Sequence, residues 1–313
     1  MGANSCHRTW IQTQFANTIA RIDPVTGKVE EYEIPYTIPA STNPSILPNS
    51  LGNTVLSCAI RPGRDGNVYA GNGLRNQLVR INTTTRHIDV FTPPDYNPLG
   101  DLQPFNDLYS SKDGIYFTQT TANKFSFFSF ATEKIVSYKI PTLTALPLGI
   151  FVASDGNVYF AEFGAFKIGR FNPTTKKIDE FPIPLSLAGP AVIRAETEGR
   201  YIWFTAFIGN GLGRLDMQTG NVVAYTYPSP LALTAEDTVD SNGNIWFSTA
   251  TQNTLNYLTP STGKFTSITQ PSTLVVAPIS LPFYFEIASN YGPGNAIWFT
   301  QQLANRVGRY SLD

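Results

Sequence analysis

The chain is poor in charge. Asp, Glu, Lys and Arg make up 14% of its 313 residues, against ~25% in an average soluble domain. The net charge is −1 and no basic stripe is present, which excludes the electrostatic footprint of a nucleic-acid binder. There are two histidines and two cysteines, too few for a Cys/His metal cluster. No apolar run approaches the ~20 residues that a membrane-spanning helix needs. A Gly-rich phosphate loop and a Ser-His-Asp set are also missing. The phrases GNGLRN (71–76) and GNGLGR (209–214) fall between predicted strands and read as turns.

Aromatics, proline and glycine are plentiful: 13% Phe, Trp and Tyr, with 23 Pro and 24 Gly. That mixture suits many short strands separated by tight turns. One phrase recurs seven times: an aromatic opens a short strand, and in six copies an Asn stands seven residues on. The pairs are Trp10/Asn17, Tyr69/Asn76, Tyr116/Asn123, Trp203/Asn210, Trp246/Asn253 and Trp298/Asn305, while Tyr159 is followed by Phe166. A strand-rich repeat of roughly 45 residues is the signature of a β-propeller, one repeat per blade. The prediction is an all-β chain, a single domain over 1–313, with seven four-stranded antiparallel blades closed into a ring by the terminal strands.

The fourth repeat shows the plan. Strands are expected at 148–153, 158–162, 167–172 and 177–184, with tight turns at Ser154-Asp155-Gly156-Asn157 and Pro173-Thr174-Thr175-Lys176. Alternating apolar and polar residues mark half-buried antiparallel strands. Pro35, Pro93, Pro141, Pro184, Pro228 and Pro271 close the outer strands, where a missing N–H leaves no ladder bond unmade. The first repeat lacks a full strand before Trp10 and the last stops after three strands, so residues 1–8 are expected to complete one of them.

Cys6 precedes the first anchor strand and Cys58 lies on the innermost strand of the adjoining repeat. Either they form a disulfide, which their positions favour, or they are two reduced thiols. A bridge closing a loop of this size would contribute roughly 4 kcal/mol on the chain-entropy model. With the sequon Asn82-Thr83-Thr84, this leans towards the secretory pathway. No signal peptide is visible, and Met1-Gly2 is read as replacing one.

Candidate functional residues fall in three groups. Three positions after the anchors stand Asn72, Gln119, Glu162, Thr249 and Gln301. Inner strands contribute Arg61, Asp107, Tyr109, Arg194 and Glu236. Arg194 interrupts the apolar strand AVIRAE; it is read either as a structural partner of Glu236 or Asp107, or as a guanidinium that polarises a carbonyl. The long inter-blade loops 36–55, 94–105 and 272–283 carry or adjoin Tyr36, Tyr96, Phe105, Phe283, Tyr284 and Phe285, and the hairpin loops add Phe163 and Phe207. As a set these aromatics predict a greasy mouth for an apolar small molecule, though each alone is compatible with ordinary packing.

The segments DGNVYFAEFGAFKIGRFNPTTKKIDEFPIP (155–184) and NGNIWFSTATQNTLNYLTPSTGKFTSITQP (242–271) resemble the repeats of the streptogramin B (virginiamycin B) lyases. These are seven-bladed propellers in a wider group with gluconolactonase-like enzymes. The resemblance implies elimination chemistry that uses histidines beside a Mg²⁺ ion. Here His87 lies in an outer strand and His7 near the terminus, while the inner strands carry Asp107, Gly149 and Glu236. Gluconolactonase-like relatives hold a divalent ion with Glu, Asn and Asp. That likeness makes Asp107, Glu162 and Glu236, with Asn106 nearby, candidate ligands for Mg²⁺ or Ca²⁺. Similar propellers of fungal natural-product pathways catalyse hetero-Diels–Alder closure in tropolone-sesquiterpenoid biosynthesis.

Three functions stay open at this point. The first is a cofactor-free enzyme of secondary metabolism, a cyclase or pericyclase with a hydrophobic substrate. In it Arg61, Arg194, Gln119, Glu162 and Gln301 act, and Asn72, Tyr109, Asp107, Phe163, Phe207, Glu236, Phe283 and Phe285 bind. The second is a metal-dependent lyase or lactonase. The third is a binding propeller without turnover.

Overall fold

The computed structural model describes residues 9–12, 18–23, 26–35, 59–72, 77–94, 107–252, 254–270, 289–292, 294–301 and 306–313. Among the described residues seven antiparallel sheets follow one another along the chain, five of four strands and the first and last of three. The chain divides into two compact units, Met1–Pro147 and Leu148–Asp313.

In the first unit, blade 1 comprises Thr9–Gln12, Thr18–Ile22 and Val29–Glu33. Blade 2 comprises Ile60–Pro62, Val68–Asn72, Gln77–Ile81 and Ile88–Phe91. Blade 3 comprises Leu108–Ser110, Gly114–Gln119, Lys124–Ser129 and Ile135–Lys139. Blade 4, which opens the second unit, comprises Pro147–Val152, Val158–Glu162, Lys167–Phe171 and Ile178–Pro182. Blade 5 has Pro190–Thr197, Tyr201–Ala206, Gly211–Asp216 and Val222–Thr226. Blade 6 has Thr234–Val239, Ile245–Thr249, Thr254–Thr259 and Lys264–Thr269. Blade 7 has Ser289–Gly292, Ala296–Gln301 and Arg306–Ser311. Blade 4 matches the strands expected from the sequence to within two residues at each end.

The repeated aromatic opens the most buried strand. Val68–Asn72, Gly114–Gln119, Val158–Glu162 and Ile245–Thr249 are buried along their whole length, whereas the fourth strands of blades 4 and 6 are half-buried or exposed throughout. The Asp-Gly-Asn turn before the anchor has a purpose beyond reversing the chain. The Tyr159 hydroxyl donates to Asp155 at 2.9 Å and the Asn157 amide donates to the same oxygen at 2.7 Å. Tyr69 repeats this with Asp65 at 2.7 Å, and Trp246 Nε1 donates to Asp240 at 2.7 Å. Each turn thus supplies the acceptor that a buried phenol or indole requires.

The residue after the anchor packs flat over the next strand. A Cβ on Gly169 would sit 2.2 Å from the Phe160 ring, and one on Gly213 would sit 2.0 Å from the Phe204 ring. Glycine is needed there for close approach.

The repeated Asn clamps the linker to the next blade. Asn123 has φ +54° and Asn210 has φ +58°, the left-handed region that Asn tolerates best among residues with a side chain. Asn210 Nδ2 donates to the carbonyls of Tyr227 (3.2 Å) and Ser229 (2.7 Å), and its Oδ1 accepts from the Ala232 N–H at 2.7 Å. Asn123 makes the same three bonds to Ile140, Thr142 and Ala145. These linkers bend through left-handed bulky residues, Leu231 (φ 55°) and Leu233 (φ 53°) after blade 5, a conformation that persists only where surroundings over-determine it. Phe166, at φ +53°, keeps the backbone bond of the motif, from Ile183 N–H at 3.1 Å, with no amide to make the rest. A short 3₁₀ turn, Leu185–Leu187, replaces the clamped linker there.

Cys6, Cys58 and residues 1–8 lie outside the described residues. Among those described, no helix is long and apolar enough to cross a membrane.

Candidate functional site

The first strands of blades 5 and 6 are irregular. Pairing runs Pro190↔Ala206, Ile193↔Phe204 and Ala195↔Trp203, with a shift at each step. In blade 6, Thr234↔Thr249 is followed by Asp237↔Phe247. A bulge re-aims the side chains it contains, and these two contain Arg194 and Glu236. The guanidinium of Arg194, with a side-chain exposure of 5%, places Nε 3.8 Å from Glu236 Oε2. Its Nη1 donates to the carbonyls of Ile193 (3.0 Å) and Ile150 (3.3 Å), and its backbone N–H donates to Asp237 Oδ2 at 3.3 Å. Arg194 therefore ties together the first strands of blades 4, 5 and 6. The sequence paired it with Glu236 or Asp107, and the structure shows Glu236. It adds Asp237, which sequence reasoning missed because a bulge leaves no mark in the residue pattern.

The positions three after the anchors are all interior where described: Asn72, Gln119, Glu162 and Thr249 are buried. The Gln119 Oε1 accepts from the Ser126 hydroxyl, which is itself 2.9 Å from Ser137 Oγ. Thr249 donates to the Gln252 carbonyl at 3.3 Å. Glu162 differs. Its residue exposure is 0%, and neither carboxyl oxygen has a hydrogen-bond partner. Burial pushes its pKa up to about 8, helped by the nearby Glu180 charge and opposed by Lys167. The Lys167 ammonium is engaged elsewhere, 2.9 Å from Glu180. Gln301 ends the second strand of blade 7, and its side chain lies outside the described residues.

The loop end of blades 4 to 6 is apolar. Phe163 and Phe207 are half-buried in adjacent hairpin loops. A Cβ on Gly189 (φ +64°) would meet Ile208 at 2.8 Å and Phe163 at 2.9 Å, so these groups touch one another's surroundings. Leu185 and Leu231 are 77% and 78% exposed and Ile208 is 55% exposed. The linkers that carry the two leucines, 183–189 and 227–233, contain no charged residue. Their lack of charge was the legible signal for this surface, and sequence reasoning looked instead to the longer loops. Phe283 and Phe285 lie outside the described residues, as do Tyr36, Tyr96, Phe105, Asn106 and Tyr284.

In the first unit, Arg61 and Tyr109 are half-buried on first strands, opposite the anchors Tyr69 and Tyr116. The Asp107 N–H donates to Thr118 Oγ1 at 3.0 Å, as the Glu236 N–H does to Ser248 Oγ at 3.2 Å. The two acids thus occupy the same register in their own blades. Among the described residues no three His, Cys, Asp or Glu side chains gather to hold an ion. His87 is 73% exposed and 3.3 Å from Asp89 on an outer strand. His7 lies outside the described residues.

Seven successive antiparallel sheets of this pattern define a seven-bladed β-propeller. Virginiamycin B lyase from Staphylococcus aureus has the same fold, with a TM-score of 0.78 and 24% identity over 100% of this chain and 94% of that one. A streptogramin B lyase gives 0.76 and 20% over 98% and 90%. A putative 6-phosphogluconolactonase from Bacteroides uniformis gives 0.61 and 14% over 95% and 88%. No curated protein matches the chain in sequence. The profile of the virginiamycin B lyase family matches residues 56–255, and the chain belongs to that family.

Proposed function

We propose that this chain is a small-molecule enzyme of secondary metabolism that takes a hydrophobic substrate at the loop end of its blades. There it promotes cyclisation by orientation and hydrogen-bond polarisation, without a metal or other cofactor. The observation that carries this reading is the uncharged, leucine-tipped linkers of blades 4 to 6, with Leu185, Ile208 and Leu231 exposed and Phe163 and Ile208 meeting at Gly189. Exposed apolar side chains on uncharged loops suit a binding surface.

The reaction class that fits is a hetero-Diels–Alder addition. A conjugated ketone and an alkene form one C–C and one C–O bond as the π bonds reorganise, and no proton, electron or group is gained or lost. Such a step needs two partners held together, worth up to roughly 7–11 kcal/mol, and a donor on the ketone oxygen. It needs no histidine. A virginiamycin B lyase from Staphylococcus aureus that carries a His-to-Ala change is catalytically inactive and has been crystallised with quinupristin. The described histidine of this chain, His87, stands exposed on an outer strand. In this reading the protein works in the secretory pathway, where a Cys6–Cys58 bridge and the Asn82 sequon would have their use.

The test presents purified protein with an α,β-unsaturated ketone and an electron-rich medium-ring alkene, with and without EDTA. One product enantiomer in excess, unchanged by EDTA, is expected, and quinupristin incubated with Mg²⁺ stays cyclic. A racemic product at the uncatalysed rate, or linear quinupristin, would overturn the proposal.

A further inference from the structure

Arg194, read from sequence either as a structural partner of Glu236 or Asp107 or as the polarising group, binds the Ile150 and Ile193 carbonyls through Nη1 and faces Glu236 with Nε. Among the described residues, Glu162 is a fully buried carboxyl with neither oxygen hydrogen-bonded. The repeat shows why. In blade 3 the equivalent Gln119 is satisfied by Ser126, which stands opposite Phe117 and beside Ser137. In blade 4 the residue opposite Phe160 is Gly169, and beside it stands Glu180. Glycine offers no hydroxyl, and Glu180 holds Lys167 at 2.9 Å. Blade 4 has thus replaced an amide and its hydroxyl partner with a carboxyl and no partner.

Leaving a buried polar group unpaired is costly, and an unpaired carboxylate far more so than a neutral acid. The neutral acid keeps one O–H to donate. Glu162 is followed directly by Phe163, whose ring is among the groups beside Gly189 at the loop end. The charged groups facing it in its own blade are Lys167 on the third strand and Glu180 on the fourth.

Resting on the functional reading above, we propose that Glu162 is the substrate-contacting donor of this site: a neutral carboxylic acid whose O–H binds the carbonyl oxygen of a conjugated ketone. The proton stays on Glu162 throughout. It draws electron density from the ketone and makes the heterodiene more reactive, and no bond to the carboxyl forms or breaks.

Tropone, a conjugated cyclic ketone that does not ionise, is the probe. Its affinity is measured by titration and its carbonyl stretch by infrared difference spectroscopy, for the wild type, Glu162→Met and Glu162→Gln. Glu162→Met keeps the length and loses the donor; it is expected to bind about tenfold more weakly, and the carbonyl stretch returns to its free apolar-solvent position. Glu162→Gln retains an N–H donor and is expected to stay within about threefold of wild type. It also loses the fall in affinity that the wild type shows above pH 8. Should Glu162→Met fail to fold, the stretch in the wild type decides: a downshift that disappears at alkaline pH supports the assignment, and an unshifted band overturns it. Equal binding by all three proteins overturns the role of Glu162 and leaves the functional reading standing. No tropone bound by the wild type overturns both.

Discussion

Blades 4 and 5 are neighbours in sequence and share one plan, yet they treat their polar groups differently. In blade 5, Asn210 satisfies two carbonyls and one N–H of the following linker, and Trp203 Nε1 donates to Thr197 at 2.9 Å. Arg194 is spread over the Ile150 carbonyl, its own strand and Glu236. Blade 4 keeps the same backbone turn at Phe166 but not the clamp, and it buries Glu162 without a partner. A repeat protein makes such a departure easy to see, because the regular copies show what structure alone requires. A copy that departs from them and leaves a whole buried carboxyl unpaired is a candidate for a role beyond folding.

Substitutions in the two blades should therefore separate stability from binding. Arg194→Met is expected to have the largest effect, costing about 3–5 kcal/mol in urea denaturation, because it leaves a buried carboxylate without its cation. Adding Glu236→Gln should recover part of that loss. If the single change proves harmless, blade 5 is not held as described.

Glu162→Gln should act through pH. Between 4.5, its ordinary value, and about 8, the folded protein holds a proton on Glu162 that the unfolded chain has released. Wild-type stability therefore falls as pH rises through that window and levels off above it. The variant lacks this slope, so its unfolding free energy should gain on the wild type from pH 5 to pH 9, by on the order of 2–4 kcal/mol. Parallel curves would show that Glu162 titrates normally.

Asn210→Ala removes three hydrogen bonds and places alanine at φ +58°. A loss of about 2 kcal/mol is expected, with the linker around Leu231 becoming more open to proteolysis. Phe166→Asn is the smallest change. It puts a residue better suited to φ +53° into blade 4, and a gain of under ~1 kcal/mol is expected. A loss instead would mean that the Phe166 ring has packing of its own to lose.

Much of the fold was legible. The Asp-Gly-Asn turns, the alternation and the anchor aromatics located the strands of blade 4 to within two residues because each is a local signal. The Asn seven residues after the anchor was visible as a pattern, but its role was not. Its partners are main-chain groups 17 to 22 residues downstream of Asn123 and Asn210, and a carbonyl has no sequence signature. The direction of Arg194 was hidden for a different reason, since its bulge changes which way every later side chain points. Glu162 was a candidate from sequence for its repeat position alone, and its isolation follows from Gly169 standing where Ser126 stands in blade 3. That comparison only becomes meaningful once register is known.

The most direct test of the account is the protonation state of Glu162 at neutral pH. An infrared difference spectrum between wild type and Glu162→Gln at pH 7, in the ligand-free protein, reports it without reference to any substrate. The account predicts a protonated-acid carbonyl band in the wild type that disappears on raising the pH through about 8. A carboxylate band alone at pH 7 would mean that Glu162 is ionised and has found a partner, and the contrast between the two blades would lose its meaning.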